Sequence, residues 1–258
     1  MSGHWAQGRY RSVADHIAPL ATQLVSTAAT RTALPGAVVY DLGCGIGSAA
    51  LICAAEGAQV TGVDITPELL EQASADAETA GVAVRWQCAD AGSTGLPTAS
   101  ADAVISSVGI IFVDPADQVP EIARLLKPAG TLAYTAWKSS PGQPLRTPIQ
   151  DVVGPPPAGA ISPDSWADPD IVAERLDADF ADITIDEHMY TWQFGSLDEA
   201  MALVTAESPV HVNLLSSLDD DRKQRVVNGF RGVFEDLAQA DGSVAFAVPY
   251  VVVTATRR

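Results

Sequence analysis

Three glycines and three aspartates have the residue types and spacing to do chemistry. In Asp41-Leu42-Gly43-Cys44-Gly45-Ile46-Gly47 the glycines follow a short β-rich run, Val38 to Leu42, and precede an alanine-rich helical stretch, Ser48 to Glu56. A strand that turns into a helix through glycines lets the backbone approach a ligand without a Cβ clash. The pattern alone marks either a tight turn or a nucleotide-type site. Two residues narrow the choice. The dinucleotide fingerprint would need its third glycine at position 48, which is Ser48. Asp41 stands two residues before the first glycine, where a carboxylate repels a pyrophosphate and attracts a ligand carrying an ammonium and a sulfonium.

Asp64 ends the second strand, 17 residues past Gly47, where a carboxylate can accept hydrogen bonds from both hydroxyls of a ribose. That spacing serves NAD as well, so an NAD-dependent oxidoreductase is the alternative reading, with Asp41 and Ser48 against it. Asp90, after the third strand in Gln87-Cys88-Ala89-Asp90-Ala91, supplies an acceptor for the amine of an adenine. Any one aspartate could be a turn residue; three at successive strand ends are harder to dismiss as such. A strand-end carboxylate facing a cleft makes few packing contacts, so loss of Asp64 is expected to leave fold stability nearly unchanged.

The elements that must position these residues alternate. Val13, Ile17, Leu20 and Leu24 recur at helical spacing after Ser12, with Asp15 completing a capping-box pattern. Strands are expected over Val38 to Leu42, Gln59 to Val63, Val82 to Cys88, Ala101 to Val108 and Thr131 to Trp137. Helices are expected between them, one opened by Thr66-Pro67 and closed by Gly81, another over Ala116 to Leu126. Such alternation gives a mostly parallel sheet in a doubly wound α/β fold. From Ser139 to Asp168 the alternation stops and prolines crowd the chain, including Pro141, Pro144, Pro148, Pro155, Pro156, Pro157 and Pro163; so long a loop is usually functional or disordered. Asp168-Pro169 opens another helix, Ile183 to Phe194 reads as a strand, and Ser196-Leu197-Asp198-Glu199 is a capping box. A helical stretch then carries Val226, Phe230, Val233, Phe234 and Leu237, and Val244 to Thr254 is the final strand. The expected organisation is one domain over 1–258: a helical cap (1–36), a ligand-binding core (37–137), a proline-rich active-site loop (139–168) and a helical lid (196–241) inserted before the last strand.

Composition removes several partners. Asp and Glu outnumber Lys and Arg by 32 to 15, so a polyanion would meet net repulsion; neither nucleic acid nor an anionic membrane is an expected partner. The three cysteines, Cys44, Cys53 and Cys88, lack paired C-x-x-C spacing, and the start, MSGHWAQGRY, carries no apolar leader. A reduced, cytoplasmic setting is expected, with no membrane span.

Val38-Val39-Tyr40-Asp41-Leu42-Gly43-Cys44-Gly45-Ile46-Gly47, then Gly62-Val63-Asp64-Ile65-Thr66, then Glu121-Ile122-Ala123-Arg124-Leu125-Leu126-Lys127-Pro128-Ala129-Gly130, resemble the ordered motifs of class I S-adenosylmethionine-dependent methyltransferases, in the branch of the ubiquinone and menaquinone biosynthesis enzymes. The likeness is specific over residues 37 to 137, and Pro128-Ala129-Gly130 departs mildly from the usual Pro-Gly-Gly. It implies a Rossmann-like seven-stranded fold, S-adenosyl-L-methionine as cofactor and a small-molecule methyl acceptor. It further implies that the backbone of Gly43, Cys44, Gly45 and Gly47 faces the methionine part, with Asp41 toward its amino group. Asp64 would hold the ribose, Ile65 would pack on adenine, Asp90 and Ala91 would bind its edge, and Ser107 and Val108 would lie beneath the donor methyl. Trp5 and Tyr10 also recur in relatives, which places Tyr10 among the expected cofactor residues.

Displacement at a sulfonium needs positioning above all, and a dedicated base is dispensable. Where the acceptor is a hydroxyl or an acidic carbon, a histidine is the commonest base. Of His4, His16, His188 and His211, the expected candidate is His211, with Glu207 four residues before it as orienting partner and Pro209 between them. Asp114-Pro115, followed by Ala116 and Asp117, lacks the second proline and aromatic found in enzymes that methylate nucleobase amines. Asp114 and Asp117 read as an acidic helix start, and no metal is expected. Trp137, Trp166, Trp192, Tyr190 and Phe194 could wall an apolar pocket, which favours a largely apolar or aromatic acceptor; a binding protein without turnover is the remaining alternative. The acceptor's identity, the atom methylated and the oligomeric state are not legible.

Overall fold

The computed structural model describes residues 5–155 and 162–258; His4, Pro156 and Pro157 lie outside the described residues. The strands are β1 (Val38–Leu42), β2 (Gln59–Asp64), β3 (Val84–Cys88), β4 (Ala101–Ser107), β5 (Leu126–Trp137), β6 (Phe180–Phe194) and β7 (Val244–Arg257). They form a seven-stranded sheet in the order β3-β2-β1-β4-β5-β7-β6. β1 to β5 pair in parallel, and β7 runs antiparallel to β5, with Thr135 opposite Val252 and Trp137 opposite Tyr250. β1 and β4 are near-continuous buried runs, as strands covered on both faces must be. The order reverses between β1 and β4, so the carboxyl ends of these two strands open a crevice at a topological switch point. This is a Rossmann-like α/β fold, and the glycine turn lies at that crevice.

The helices are α1 (Tyr10–Ala29), α2 (Ser48–Ala55), α3 (Pro67–Ala80), α4 (Pro115–Leu125), α5 (Thr147–Val153), α6 (Pro169–Leu176), α7 (Leu197–Ala202), α8 (Pro209–Ser217) and α9 (Asp220–Asp236). Local chemistry fixes several of their ends. Asp114 caps α4 by accepting from the Ala116 amide at 2.9 Å, and Asp168 caps α6 by accepting from Asp170 and Ile171. Pro115 and Pro169 each stand in the first turn, where a missing N–H costs nothing. No described helix is long and apolar enough to cross a membrane.

Among the departures from the sequence expectation, three have a clear local cause. Ser12 does not cap α1, which starts at Tyr10; its hydroxyl donates to Glu207 Oε2 at 2.6 Å. The proline-rich stretch contains α5, entered through Pro148, and a short 3-10 turn, Pro163–Trp166, because a proline is tolerated in a first helical turn. β5 starts at Leu126 rather than Thr131: Leu126 pairs with Ala101 and an irregularity absorbs Pro128-Ala129-Gly130, with Ala129 at φ 64°.

The described residues divide into two compact units, one of residues 17–138, 162–188 and 250–258, the other of residues 5–16, 139–155 and 189–249. Fully buried Leu42, Ile105, Ile110, Ile122, Tyr134 and Trp166 belong to the first. Trp166 is core there: its carbonyl accepts from the Tyr134 hydroxyl at 3.0 Å, and the Arg175 guanidinium lies 4.9 Å from its ring centre. The second unit is built on rings, with Phe234 stacked on Phe246 (5.9 Å, 11°) and on Phe230 (6.0 Å), and Trp192 stacked on Phe194 (6.1 Å, 7°). In the same unit Glu207 holds Arg9 at 2.8 Å as well as Ser12.

In the first unit the indole of Trp86, on β3, rests against both Gly62 and Gly47. A Cβ at Gly47 would come within 2.5 Å of the ring, and one at Gly62 would overlap it and lie 3.1 Å from Cys44 Sγ. Gly62→Ala is therefore expected to destabilise the protein by about 1–3 kcal/mol through overpacking, read as a lowered urea midpoint. Adding Trp86→Leu to Gly62→Ala should recover most of that loss. An unchanged midpoint in Gly62→Ala alone would show that the ring moves freely.

Candidate functional site

At the end of β1 the Asp41 carboxylate is 1% exposed and turns toward the start of α2, where Oδ2 accepts from the Ala50 amide at 3.0 Å. The N-cap residue of α2 is Gly47, left-handed at φ 83° and without a side chain to cap with. Asp41 thus takes one of the helix's orphan first-turn amides from a distance of nine residues. Its other oxygen, Oδ1, is buried with no hydrogen-bond partner. Burial pushes the Asp41 carboxyl up from 3.8 to about 7; the Ala50 bond opposes the shift and repulsion from Asp64 adds to it.

Asp64 ends β2, 8% exposed. Oδ2 accepts from the Gly45 amide at 2.8 Å and Oδ1 from the Thr66 amide at 2.9 Å, so the carboxylate ties β2 to the glycine turn. Burial raises its pKa, and these backbone bonds hold the rise back. This corrects the expectation of a weakly attached residue: the strand end is stapled through it. Among the described residues neither carboxylate has a cationic partner. A ligand bearing positive charge fits that pair.

The turn after β4 closes on the glycine turn. A Cβ at Gly109 would meet Gly43 O at 2.5 Å and Leu42 O at 2.8 Å. Ser106 Oγ donates to Leu42 O at 2.6 Å and accepts from the Ile110 amide at 3.0 Å. Ser107 is half-buried, and Val108 has φ 59° with its amide donating to Thr135 Oγ1 at 3.0 Å. On the other flank Asp90 is exposed and closes its own turn by accepting from the Gly92 amide at 2.8 Å. Ala91 is buried, and its carbonyl accepts from Gln118 of α4 at 3.0 Å. Glu121, also on α4, accepts from the amide and hydroxyl of Thr94 and pairs with Arg124 at 2.7 Å, which holds its carboxyl below the usual range despite burial.

One unit therefore contains Asp41, Gly43, Cys44, Gly45, Gly47, Asp64, Ile65, Asp90, Ala91, Ser107 and Val108. Gly47 has the Trp86 ring as its close neighbour, so its missing Cβ answers first to that ring. The Cys44 thiol is buried and pushed far up by burial, which leaves its backbone rather than its sulfur for a ligand. Tyr10 starts α1 in the other unit, edge-on to Trp5 at 6.4 Å.

His211 is also in that other unit. Its Nδ1 lies 2.7 Å from Ser208 Oγ and its Nε2 3.2 Å from Leu145 O. A carbonyl can only accept, so Nε2 carries the proton and Nδ1 accepts from the serine; burial lowers the pKa and favours this neutral ring. Both nitrogens are occupied, and the expected Glu207 pairing is absent. Pro209 starts α8 afresh and Glu207 belongs to the π-turn before it, so the two are not one helical turn apart. The aromatic residues divide likewise: Trp166, Trp192 and Phe194 are buried, while Trp137 is half-buried, edge-on to Tyr250 at 6.2 Å, and His188 stacks on Tyr250 at 5.3 Å.

Sequence reading missed Ser106, Thr135, Gln118 and Glu121. A signal existed for the first two, since both are hydroxyl residues inside otherwise apolar strands.

Comparison with known proteins bears on this geometry. A family profile described as a methyltransferase domain matches residues 40–134. An uncharacterised protein of Mycobacterium tuberculosis is 34% identical over 201 residues, which is 76% of this chain and 72% of that protein. A ubiquinone biosynthesis O-methyltransferase of Xanthomonas campestris is 39% identical over 116 residues, 44% of this chain and 48% of its own length. Among solved structures, geranyl diphosphate methyltransferase in complex with S-adenosylmethionine has a TM-score of 0.55 at 17% identity, covering 93% of this chain and 85% of that one. At that identity the likeness is one of fold.

The raised Asp41 pKa fixes the sign of two pH effects. The folded protein keeps a proton that the unfolded chain releases near 3.8, so Asp41 makes the ligand-free protein less stable as pH rises from about 4 to about 7. An ammonium group set against this carboxylate needs it ionised, so affinity for S-adenosylhomocysteine should rise between pH 6 and 8. In calorimetry Asp41→Asn should flatten that rise and weaken binding at pH 8, while raising the melting temperature of the free protein there. Parallel pH profiles for the two proteins would refute the assignment.

Asp64→Ala strands the Gly45 and Thr66 amides, and a buried unpaired donor costs about 1–3 kcal/mol. The variant should lose stability on that scale in urea and also bind S-adenosylhomocysteine more weakly. A change in binding alone would mean that the staple contributes nothing to the fold.

Proposed function

The chain belongs to the class I S-adenosylmethionine-dependent methyltransferases, and on that premise we propose that it methylates a small, largely apolar or aromatic metabolite by in-line displacement. The observation that carries the cofactor site is the pair of buried carboxylates without a cationic partner, one with an oxygen left over. Bound there, S-adenosylmethionine supplies a methyl group activated by its sulfonium charge.

Asp41 draws in the amino group of the methionine part, and the backbone of Gly43, Cys44, Gly45 and Gly47 cradles that part. Asp64 keeps a free lone pair on each oxygen beyond its two backbone bonds, and these accept from the ribose hydroxyls. Ile65 covers one face of the adenine, and Asp90 and Ala91 take its edge, steadied by Gln118 and Glu121. Ser107 and Val108 lie beneath the methyl. His211 braces its own helix through Ser208 and Leu145, so alignment and exclusion of water carry the reaction rather than this histidine.

The half-buried Trp137, with Tyr250 beside it, supports an acceptor with an apolar or aromatic body. A relative named for ubiquinone biosynthesis agrees with that class.

Calorimetry with S-adenosylhomocysteine should show one saturable site, and methyl-tritiated cofactor should label phenols, quinols or isoprenoids in preference to nucleosides and peptides. Saturable NAD binding without heat from S-adenosylhomocysteine would overturn the site. Labelling of nucleosides or peptides alone would overturn the acceptor class.

A further inference from the structure

Val108 is a β-branched residue with φ 59°, 9% exposed, at the first position after β4. A left-handed conformation is uncommon for any side-chain-bearing residue and a true outlier for valine, whose branched Cβ crowds its own backbone. Such a conformation persists only where the surroundings over-determine it, and the surroundings here are specific. The Val108 amide donates to Thr135 Oγ1 at 3.0 Å, and Thr135 is fully buried. The next amide but one, Ile110, donates to Ser106 Oγ, whose own proton goes to Leu42 O at the mouth of the glycine turn. Two buried hydroxyls on neighbouring strands thus clip the turn after β4, one to β5 and one to β1. With the turn so fixed, Gly109 lies against the Gly43 backbone, too close for any Cβ between them.

We propose that Thr135 is a positioning residue for methyl transfer, acting by holding Val108 left-handed so that the turn beneath the donor methyl keeps one fixed relation to the glycine turn. The proposal rests on the placement of Val108 under the methyl given above. Its physical content is alignment: displacement at carbon needs nucleophile, methyl and sulfur in line, and small misplacements at such a centre are costly. A valine in a strained turn cannot relax into neighbouring conformations while its amide is held. Without the Thr135 hydroxyl, the same strain drives the turn away from the left-handed state. The cofactor's adenosyl end, held by Asp64 and Asp90 on other loops, does not depend on this clip.

The test reads the methyl directly and needs no acceptor. The full-length protein is loaded with S-adenosylmethionine carrying a carbon-13 methyl, and the methyl resonance and its contacts to Val108 are recorded. In the native protein the methyl should show a through-space contact to Val108. Thr135→Val should move the methyl resonance and weaken the Val108 contact, while affinity for S-adenosylhomocysteine changes by less than about threefold, less than loss of a typical hydrogen bond to the ligand would bring. Thr135→Ser should restore the native resonance. If the contact is present and Thr135→Val leaves the resonance in place, Thr135 is only a packing residue and the proposal falls while the cofactor site stands. If the native protein shows no contact to Val108, the placement of the methyl is wrong and the proposal falls with it. Should Thr135→Val not fold, Thr135→Ala, which removes the hydroxyl without putting a methyl in its place, is read in the same way.

Discussion

Two carboxylates buried at one end of a parallel sheet set the terms for the rest of the molecule. Removing an anion from water is costly unless hydrogen bonds and opposite charge replace the lost solvation. Asp41 and Asp64 receive hydrogen bonds from three backbone amides, Ala50, Gly45 and Thr66, and no positive charge from any described side chain. The amides belong to the starts of segments that must be held in place for a ligand to bind: the first turn of α2, the glycine turn and the approach to α3. The same bonds that make burial tolerable therefore assemble the crevice. What they leave over is one buried oxygen of Asp41 without a hydrogen-bond partner.

The loops around those carboxylates are rigid for separate reasons. The turn after β4 is clipped by Ser106 and Thr135, and its glycine touches the glycine turn directly. The loop after β3 is held from α4, where Gln118 takes the Ala91 carbonyl and the Glu121–Arg124 pair anchors Thr94. Trp86 fills the space left by Gly47 and Gly62 and packs against the glycine turn. A methyl donor that is already activated needs little acid–base help and much geometric constraint. A site braced by backbone contacts and buried hydroxyls is suited to that chemistry.

The unit that holds His211 follows other rules. Its stability comes from stacked rings and from a clasp between the N-terminal segment and Glu207. Within it a histidine that could serve as a base has both nitrogens engaged, one by a serine hydroxyl and one by a carbonyl. Its neutral, buried ring is part of the packing, edge-on to Phe230 at 5.6 Å.

The sequence by itself determined the alternation of strands and helices, the parallel core and the three strand-end aspartates, because periodicity, helix caps and glycine turns are local signals. It also placed the final strand at the valine-rich stretch from Val244. Only the tertiary structure decided what each polar side chain touches. Asp64 reads in the sequence as a strand-end carboxylate facing a cleft with few packing contacts, yet it reaches across to Gly45, 19 residues earlier in the chain. Gly47 and Gly62 looked like ligand and motif glycines, and the Trp86 ring that excludes a side chain from both comes from a different strand. Thr135 and Ser106 stand out in the sequence only as hydroxyls inside apolar strands, and the amides they hold are known only from the fold. Glu207 and His211 have a spacing that suggests a pair, but the proline between them starts a new helix and sends each to a different partner. Pairings of that kind depend on which strand lies beside which and how far each turn reaches, and those are properties of the folded sheet rather than of any stretch of the chain.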